Sequence, residues 1–224
     1  MKLLLIRHGQ TDWNMLWRMQ GSVNTDINDC GIRQARVKAG FLRKFHIDYV
    51  FSSPLKRAVH TASIVMKPCC PYETDFRLNE IVCENGINPD TVIRDCRNIY
   101  TDPRLSELCF GINEGRFPSE RTPDVYYFFN EPDKYTAPEG AETLEAFRDR
   151  VNSFISEVLV PLSLREPDAT VMISGHGALN KCISMCLCNK EIADFWSGSH
   201  IHNLSHAIFE INGKKFTEIQ DFTD

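Results

Sequence analysis

The sequence predicts an α/β fold of three layers, with a mostly parallel central sheet and helices on both faces. Two observations predict it. Three largely apolar runs, Lys2 to Ile6, Asp48 to Ser52 and Thr170 to Ser174, read as strands covered on both faces. Each is followed by a helical pattern, and strand–helix alternation builds a sheet flanked by helices.

The elements follow in order. After the first strand, Asp29 to Phe45 carries Ile32, Ala35, Ala39 and Leu42 at helical spacing, with Asn28 or Asp29 as N-cap. After the second, Leu55 to Met66 puts Ala58, Ala62 and Val65 on one face, with Pro54 near its first turn. Leu144 to Leu159 is amphipathic, with Phe147, Val151, Phe154, Ile155 and Val158 inward, and is expected to end before Pro161. Ala178 to Leu187 is an apolar helix behind the third strand. Asn212-Gly213 between two strand-like runs, Ala207 to Ile211 and Lys215 to Ile219, predicts a hairpin. Asn79 to Lys134 is polar and turn-rich. It reads as an irregular insertion, over one sheet edge, in a single domain spanning residues 1–224. Within it, Thr101 to Glu107 echoes Thr74 to Glu80.

Composition narrows the function classes. Thirty acidic against 25 basic residues give a charge of −5, which disfavours a nucleic-acid partner. No apolar stretch is long enough to span a membrane, and Met1 to Ile6 is too short for a signal-peptide core. Nine cysteines, an odd number without a C-x-x-C pair, suit free thiols in a reducing cytosol. Cys182, Cys186 and Cys188 read as core thiols on a helix, and the neighbours Cys69 and Cys70 as loop or core thiols. The expectation is a cytoplasmic protein.

Ligands of open α/β sheets bind beyond the carboxyl ends of the strands. There the sequence places Arg7-His8-Gly9, then Ser52-Ser53-Pro54 with Arg57 a turn into a helix, then Gly175-His176-Gly177. One histidine at a strand end is more often a structural hydrogen-bonder. Two His-Gly corners with Arg57 between them instead make an anion site, and phosphate is the common anion. A neutral imidazole is a competent nucleophile, and nearby arginines disfavour its protonation. The same arginines neutralise a transferring phosphoryl group, which removes the need for a metal. The leaving alkoxide needs a proton, so a carboxylic acid is expected nearby. The residues alone do not say which one.

The motifs resemble those of the histidine phosphatase superfamily, in the branch of cofactor-dependent phosphoglycerate mutases and small-molecule phosphatases. Leu4-Leu5-Ile6-Arg7-His8-Gly9-Gln10-Thr11 with Trp13-Asn14 matches its signature, followed by Arg18-Met19-Gln20-Gly21 and Cys30-Gly31-Ile32-Arg33-Gln34-Ala35. Phe51-Ser52-Ser53-Pro54-Leu55-Lys56-Arg57-Ala58, Leu105 to Gly115, Pro138 to Leu144 and Ile173 to Gly177 are further blocks in the family's order, with Asn203 and Ser205 echoing a late one. The resemblance runs from Lys2 to about Ile211. It implies that His8 is transiently phosphorylated, that Arg7, Arg57 and His176 hold the phosphoryl group, and that Asn14, Gln20, Gly21 and the Gly177 backbone line the pocket. Glu107 would be the acid and then the base. Glu80 stands nearer the family's usual spacing from Arg57, but only Glu107 carries the full L-x-E-x-x-F-G-x-x-E-G block. Asn79 to Pro103 is then an extra segment, a lid or interface element.

The resemblance implies no cofactor and no metal, a small phosphorylated substrate, and leaves a homodimer open. Within the family, the stretch after Gly115 offers only Arg116, Arg121 and Lys134, without the arginine pair of the mutases. A phosphatase of small phosphomonoesters is therefore favoured over a mutase, with Tyr126 to Phe129 as an apolar wall or as core. Outside it, Cys30 to Arg36 fits the C-x5-R spacing of cysteine phosphatases but sits in a helical pattern. His200, His202 and His206 could ligate zinc but lack an accompanying carboxylate. A silent phosphate-binding protein is the non-enzyme alternative; every expected catalytic group being present speaks against it.

Overall fold

The computed structural model describes residues 1–67 and 79–224. The readings of Cys69, Cys70 and most of the Thr74 to Glu80 echo lie outside the described residues. In chain order the main elements are β1 (Lys2–Arg7), α1 (Asp12–Met15), α2 (Asp29–Leu42), β2 (Tyr49–Ser52), α3 (Lys56–Met66), β3 (Asn79–Val82) and β4 (Asn98–Thr101). Then come α4 (Asp124–Asn130), α5 (Leu144–Phe154), α6 (Val160–Arg165), β5 (Thr170–Gly175), α7 (Gly177–Leu187), β6 (His206–Asn212) and β7 (Lys215–Thr223).

One seven-stranded sheet has the order β3-β4-β2-β5-β1-β6-β7. The first five strands run parallel; β6 runs antiparallel to β1, and β7 antiparallel to β6. Successive side chains of β1 point to opposite faces. Leu3 and Leu5 join a core with Phe147, Val151 and Phe154 of α5 and Leu179 and Ile183 of α7. Leu4 and Ile6 join the other, with Ala35 and Ala39 of α2 and Ala62 and Val65 of α3. This gives the three layers.

The site's place follows from that division. The chain leaves β1 toward α2 on one face and leaves the neighbouring β5 toward α7 on the other. Adjacent strands whose connections part to opposite faces open a crevice at their carboxyl ends. Register aligns those ends: Arg7 pairs with Gly175, and Ser52 with Ser174.

Three expectations change. Asn79 to Lys134 is not simply an irregular cover, because β3 and β4 extend the sheet edge itself. Each is only four residues long, and β3 is mostly exposed, so neither shows the apolar run of a central strand. The helix from Leu144 does not stop before Pro161. It passes through a π turn at Ile155–Leu159 into α6, keeping Leu159 and Leu162 buried. Proline has no N–H and crowds the carbonyl four residues back, and the wider turn spaces that carbonyl away. Finally, β7 runs to Thr223, past the expected Ile219, and buries Phe222.

Candidate active site

The crevice is a cavity of about 1140 Å³, with Arg7, His8, Arg57 and Glu107 among its lining residues. His8 leaves the end of β1 and is buried. Its corner is tight because two backbones meet there: a Cβ on Gly9 would lie 2.8 Å from the Gly31 carbonyl oxygen of α2. The Gly9 N–H donates to Thr61 Oγ1 of α3 at 2.9 Å. His8 Nδ1 lies 2.7 Å from the Gly9 carbonyl and donates to it, which fixes the tautomer and leaves Nε2 with its lone pair. Burial, then Arg57, then Arg7 hold the imidazole well below its ordinary pKa, so it is neutral.

His176 leaves the end of β5 and is fully buried. Its ring stands edge-on to His8, centroids 5.2 Å apart. Arg57 Nε donates to His176 Nδ1 at 3.2 Å. The proton of His176 is therefore on Nε2, which is buried without a partner. Burial, then Arg57, keeps this ring neutral too. A buried N–H with nothing to donate to is a ligand contact in waiting.

The two arginines differ. Arg57 Nη1 donates to the Val23 carbonyl at 2.6 Å and to Thr25 Oγ1 at 3.4 Å, and Nη2 donates to the Gly21 carbonyl at 2.7 Å. Burial lowers its pKa to about 10. Arg7 Nη1 donates to the Ile201 carbonyl at 2.7 Å, while its Nε is buried and unpartnered. Gly177 sits between Arg7 and Glu107: a Cβ there would lie 3.9 Å from both side chains.

The amides complete the cradle. Asn14 Oδ1 accepts from the Thr11 N–H and from Asn203 Nδ2. Gln20 Oε1 accepts from the hydroxyls of Thr11 and Thr25. With their oxygens engaged, both NH₂ groups remain for the cavity they line. Gly21 has φ +52°, a left-handed backbone that strains any residue with a Cβ, and a Cβ there would meet Glu114 Oε1 at 2.1 Å.

The structure brings Glu107, not Glu80, to this cavity. Glu107 Oε1 accepts from the Leu108 and Leu179 N–H groups, and Oε2 from Ala178 N–H, so the carboxylate caps α7. That leaves the Gly177 N–H at the cavity wall. Glu80 is exposed on the edge strand β3. Glu107 is placed by Arg150 of α5, a residue the sequence reading missed. Arg150 Nη1 donates to the Arg104 and Ser106 carbonyls, Nη2 to the Glu107 carbonyl, and Nε and Nη2 to Glu142. Only its position on the helix that follows the Glu142 block could have signalled it.

The rival residues are elsewhere. Cys30 is in the first turn of α2. His200 and His202 are exposed at the cavity mouth, whereas His206 is buried against Lys38 Nζ at 3.0 Å. Among the described residues no three His, Cys, Asp or Glu side chains gather as a metal site. Among them, too, no helix is long and apolar enough to cross a membrane.

The model of the histidine phosphatase superfamily (branch 1) matches residues 3–87 and 90–222. This chain belongs to the histidine phosphatase superfamily. It is 25% identical to phosphoserine phosphatase 1 of Hydrogenobacter thermophilus over 214 residues, 96% of this chain and 88% of that one. It is 32% identical to the 2,3-bisphosphoglycerate-dependent phosphoglycerate mutase of Buchnera aphidicola over 211 residues, 86% of this chain and 87% of that one. The fold matches that of mycobacterial glucosyl-3-phosphoglycerate phosphatase with a TM-score of 0.79 at 23% identity, covering 100% of this chain and 99% of that one. Within this superfamily, the chain has relatives on both sides of the phosphatase–mutase divide.

Proposed function

We propose that the protein is a phosphatase that hydrolyses small phosphomonoesters through a phosphohistidine on His8. One observation carries the reading: a buried, neutral His8, its Nδ1 tied to the Gly9 carbonyl, stands between two arginines and beside the unpartnered Nε2–H of His176. In the first step His8 Nε2 forms a bond to phosphorus as the bond to the ester oxygen breaks. Arg7, Arg57 and His176 hold the charge on the equatorial oxygens. The Glu107 carboxyl gives its proton to the departing alkoxide. In the second step the Glu107 carboxylate takes a proton from water. The new P–O bond displaces His8 Nε2, and inorganic phosphate leaves. The arginines supply the positive charge, so no metal is needed.

Hydrolysis is favoured over phosphoryl shuffling between positions of a phosphoglycerate. Of Arg116, Arg121 and Lys134, Arg121 alone lines the cavity, and Arg116 Nη1 donates instead to the Glu120 carbonyl. The test is phosphate release from a panel of phosphomonoesters in excess chelator, with 3-phosphoglycerate isomerisation followed in parallel. Release should persist, with an acid-labile phosphoenzyme in the wild type and none in His8→Ala, whose turnover should fall by at least about 10³-fold. Isomerisation without net release would make the protein a mutase. A phosphoenzyme retained in His8→Ala would refute the assigned nucleophile.

A further inference from the structure

Phosphate accounts for the floor of the cavity but not for its mouth. A volume of about 1140 Å³ matches or exceeds the roughly 300–1,000 Å³ that encloses a drug-sized ligand. A phosphorylated three-carbon acid would leave most of it to water. The remaining lining is rich in rings, including Trp13, Trp17, Phe110, Phe129 and Trp196.

Most of these rings already have partners. The Arg18 guanidinium lies over Trp13, 5.0 Å from the ring centre. Phe110 is buried edge-on to Phe128. Trp196 is fixed as a wall: its Nε1 donates to the Phe128 carbonyl at 2.7 Å, and its ring lies 5.3 Å from Phe129 at an interplanar angle of 33°. A ring held in this way loses little freedom when a ligand stacks on it.

Trp17 is different. Its φ is +57°, a left-handed conformation that bulky residues rarely take. It is 76% exposed, and among the described residues its indole makes no hydrogen bond and no ring contact. The turn is held from outside: the Trp17 N–H donates to the Asn14 carbonyl, and Arg121 Nη2 donates to the Trp17 carbonyl. Backbone strain of this kind persists where the surroundings over-determine it, and it gathers at ligand clamps. Asn14 ties that turn directly to the phosphate cradle.

We infer that Trp17 is a specificity residue that stacks on a planar aromatic leaving group. The substrate class is a phosphomonoester of an alcohol bearing one or two aromatic rings, with the Trp196–Phe129 wall bounding the same cavity and Arg121 positioning the Trp17 turn. The phosphate end of this ligand rests on the phosphatase reading above.

The test compares 2-(1-naphthyl)ethyl phosphate with propyl phosphate. Both leave as primary alkoxides, so the ring is the main difference between them. The wild type should favour the naphthyl ester in kcat/KM. Trp17→Ala should lose about five- to tenfold on that ester, chiefly through KM, and less than about twofold on propyl phosphate, the scale of one aromatic pair. Trp17→Phe should restore most of the loss. Equal losses on both esters, or no preference in the wild type, would overturn the inference. If neither ester is turned over, the phosphatase reading fails first. Calorimetric Kd values for the two esters then decide the inference separately: a ring preference present in the wild type and absent in Trp17→Ala upholds it, and equal Kd values overturn it.

Discussion

At the floor of the cavity, Arg7, His8 and Arg57, with His176 buried edge-on to His8, leave the end of a strand or the first turn after it. At the mouth, Trp17 comes from the turn after α1, Arg121 from the stretch before α4, Phe129 from α4 and Trp196 from the segment after α7. The floor is therefore placed by sheet register, which the parallel ladder fixes to a residue. The mouth is placed by side-chain and carbonyl contacts between loops far apart in sequence. On the proposed reading, chemistry that must not shift sits on the first kind of support, and selection among leaving groups on the second.

Glu107 belongs to neither class, and breaking it tests the division most strongly. It comes from a loop, yet it is held as firmly as the floor. Glu107→Gln should lower kcat for alkyl phosphates by about 10²–10⁴-fold and for activated aryl phosphates far less, because a good leaving group needs no proton. Equal losses for both would remove Glu107 as the acid. Glu80→Gln, on an exposed edge strand, is the control and should change neither.

A smaller effect is expected from Arg150, which touches Glu107 only through the backbone. Arg150→Ala should cost about 10- to 100-fold in kcat with KM little changed, the scale of a misplaced catalytic group. Arg150→Lys should not rescue it, because a single ammonium cannot span three carbonyls and Glu142. A loss that falls on KM would mean that Arg150 serves binding instead.

The smallest effect concerns stability. Burial and the arginines hold His8 and His176 well below the ordinary histidine value of 6.5. Above pH 6.5 these rings are neutral in both folded and unfolded chains and add no pH dependence. Below it the unfolded chain binds protons that the folded one refuses, so stability falls with pH, by up to about 1.4 kcal/mol per pH unit for each ring. Urea midpoints at pH 6.5 and 5.5 should show a steeper loss for the wild type than for His8→Asn, by about 1 kcal/mol. Equal losses would mean that folded His8 takes up the proton.

This contrast also explains what the sequence made legible. Arg7, His8, Arg57 and His176 could be read because apolar runs mark strands and strand ends mark sites. Glu107 could not be separated from Glu80 by chemistry alone; motif completeness favoured it, and its place at the N-terminus of α7 sets it in the cavity. β3 and β4 escaped notice because four-residue strands at a sheet edge lack a periodic apolar signal. The helix was expected to stop at Pro161 because proline is read against an α-helical ladder, and the π turn is not one. Trp17 and Arg150 were silent because nothing local in the chain announces a carbonyl contact with a residue over 40 positions away.

Arg57 divides its labour unequally between the ligand and the fold. A guanidinium has five N–H bonds, and four of Arg57's point at His176 Nδ1, Val23, Thr25 and Gly21. On the proposed reading, what it offers a phosphoryl group is mostly its field, whereas Arg7, with its unpartnered Nε, supplies the grip. An exchange of Arg57 for lysine keeps the charge but unhooks the Gly21–Thr25 strap from the histidine opposite. Damage there should register as a pocket that has lost its shape as well as an enzyme that has lost a cation.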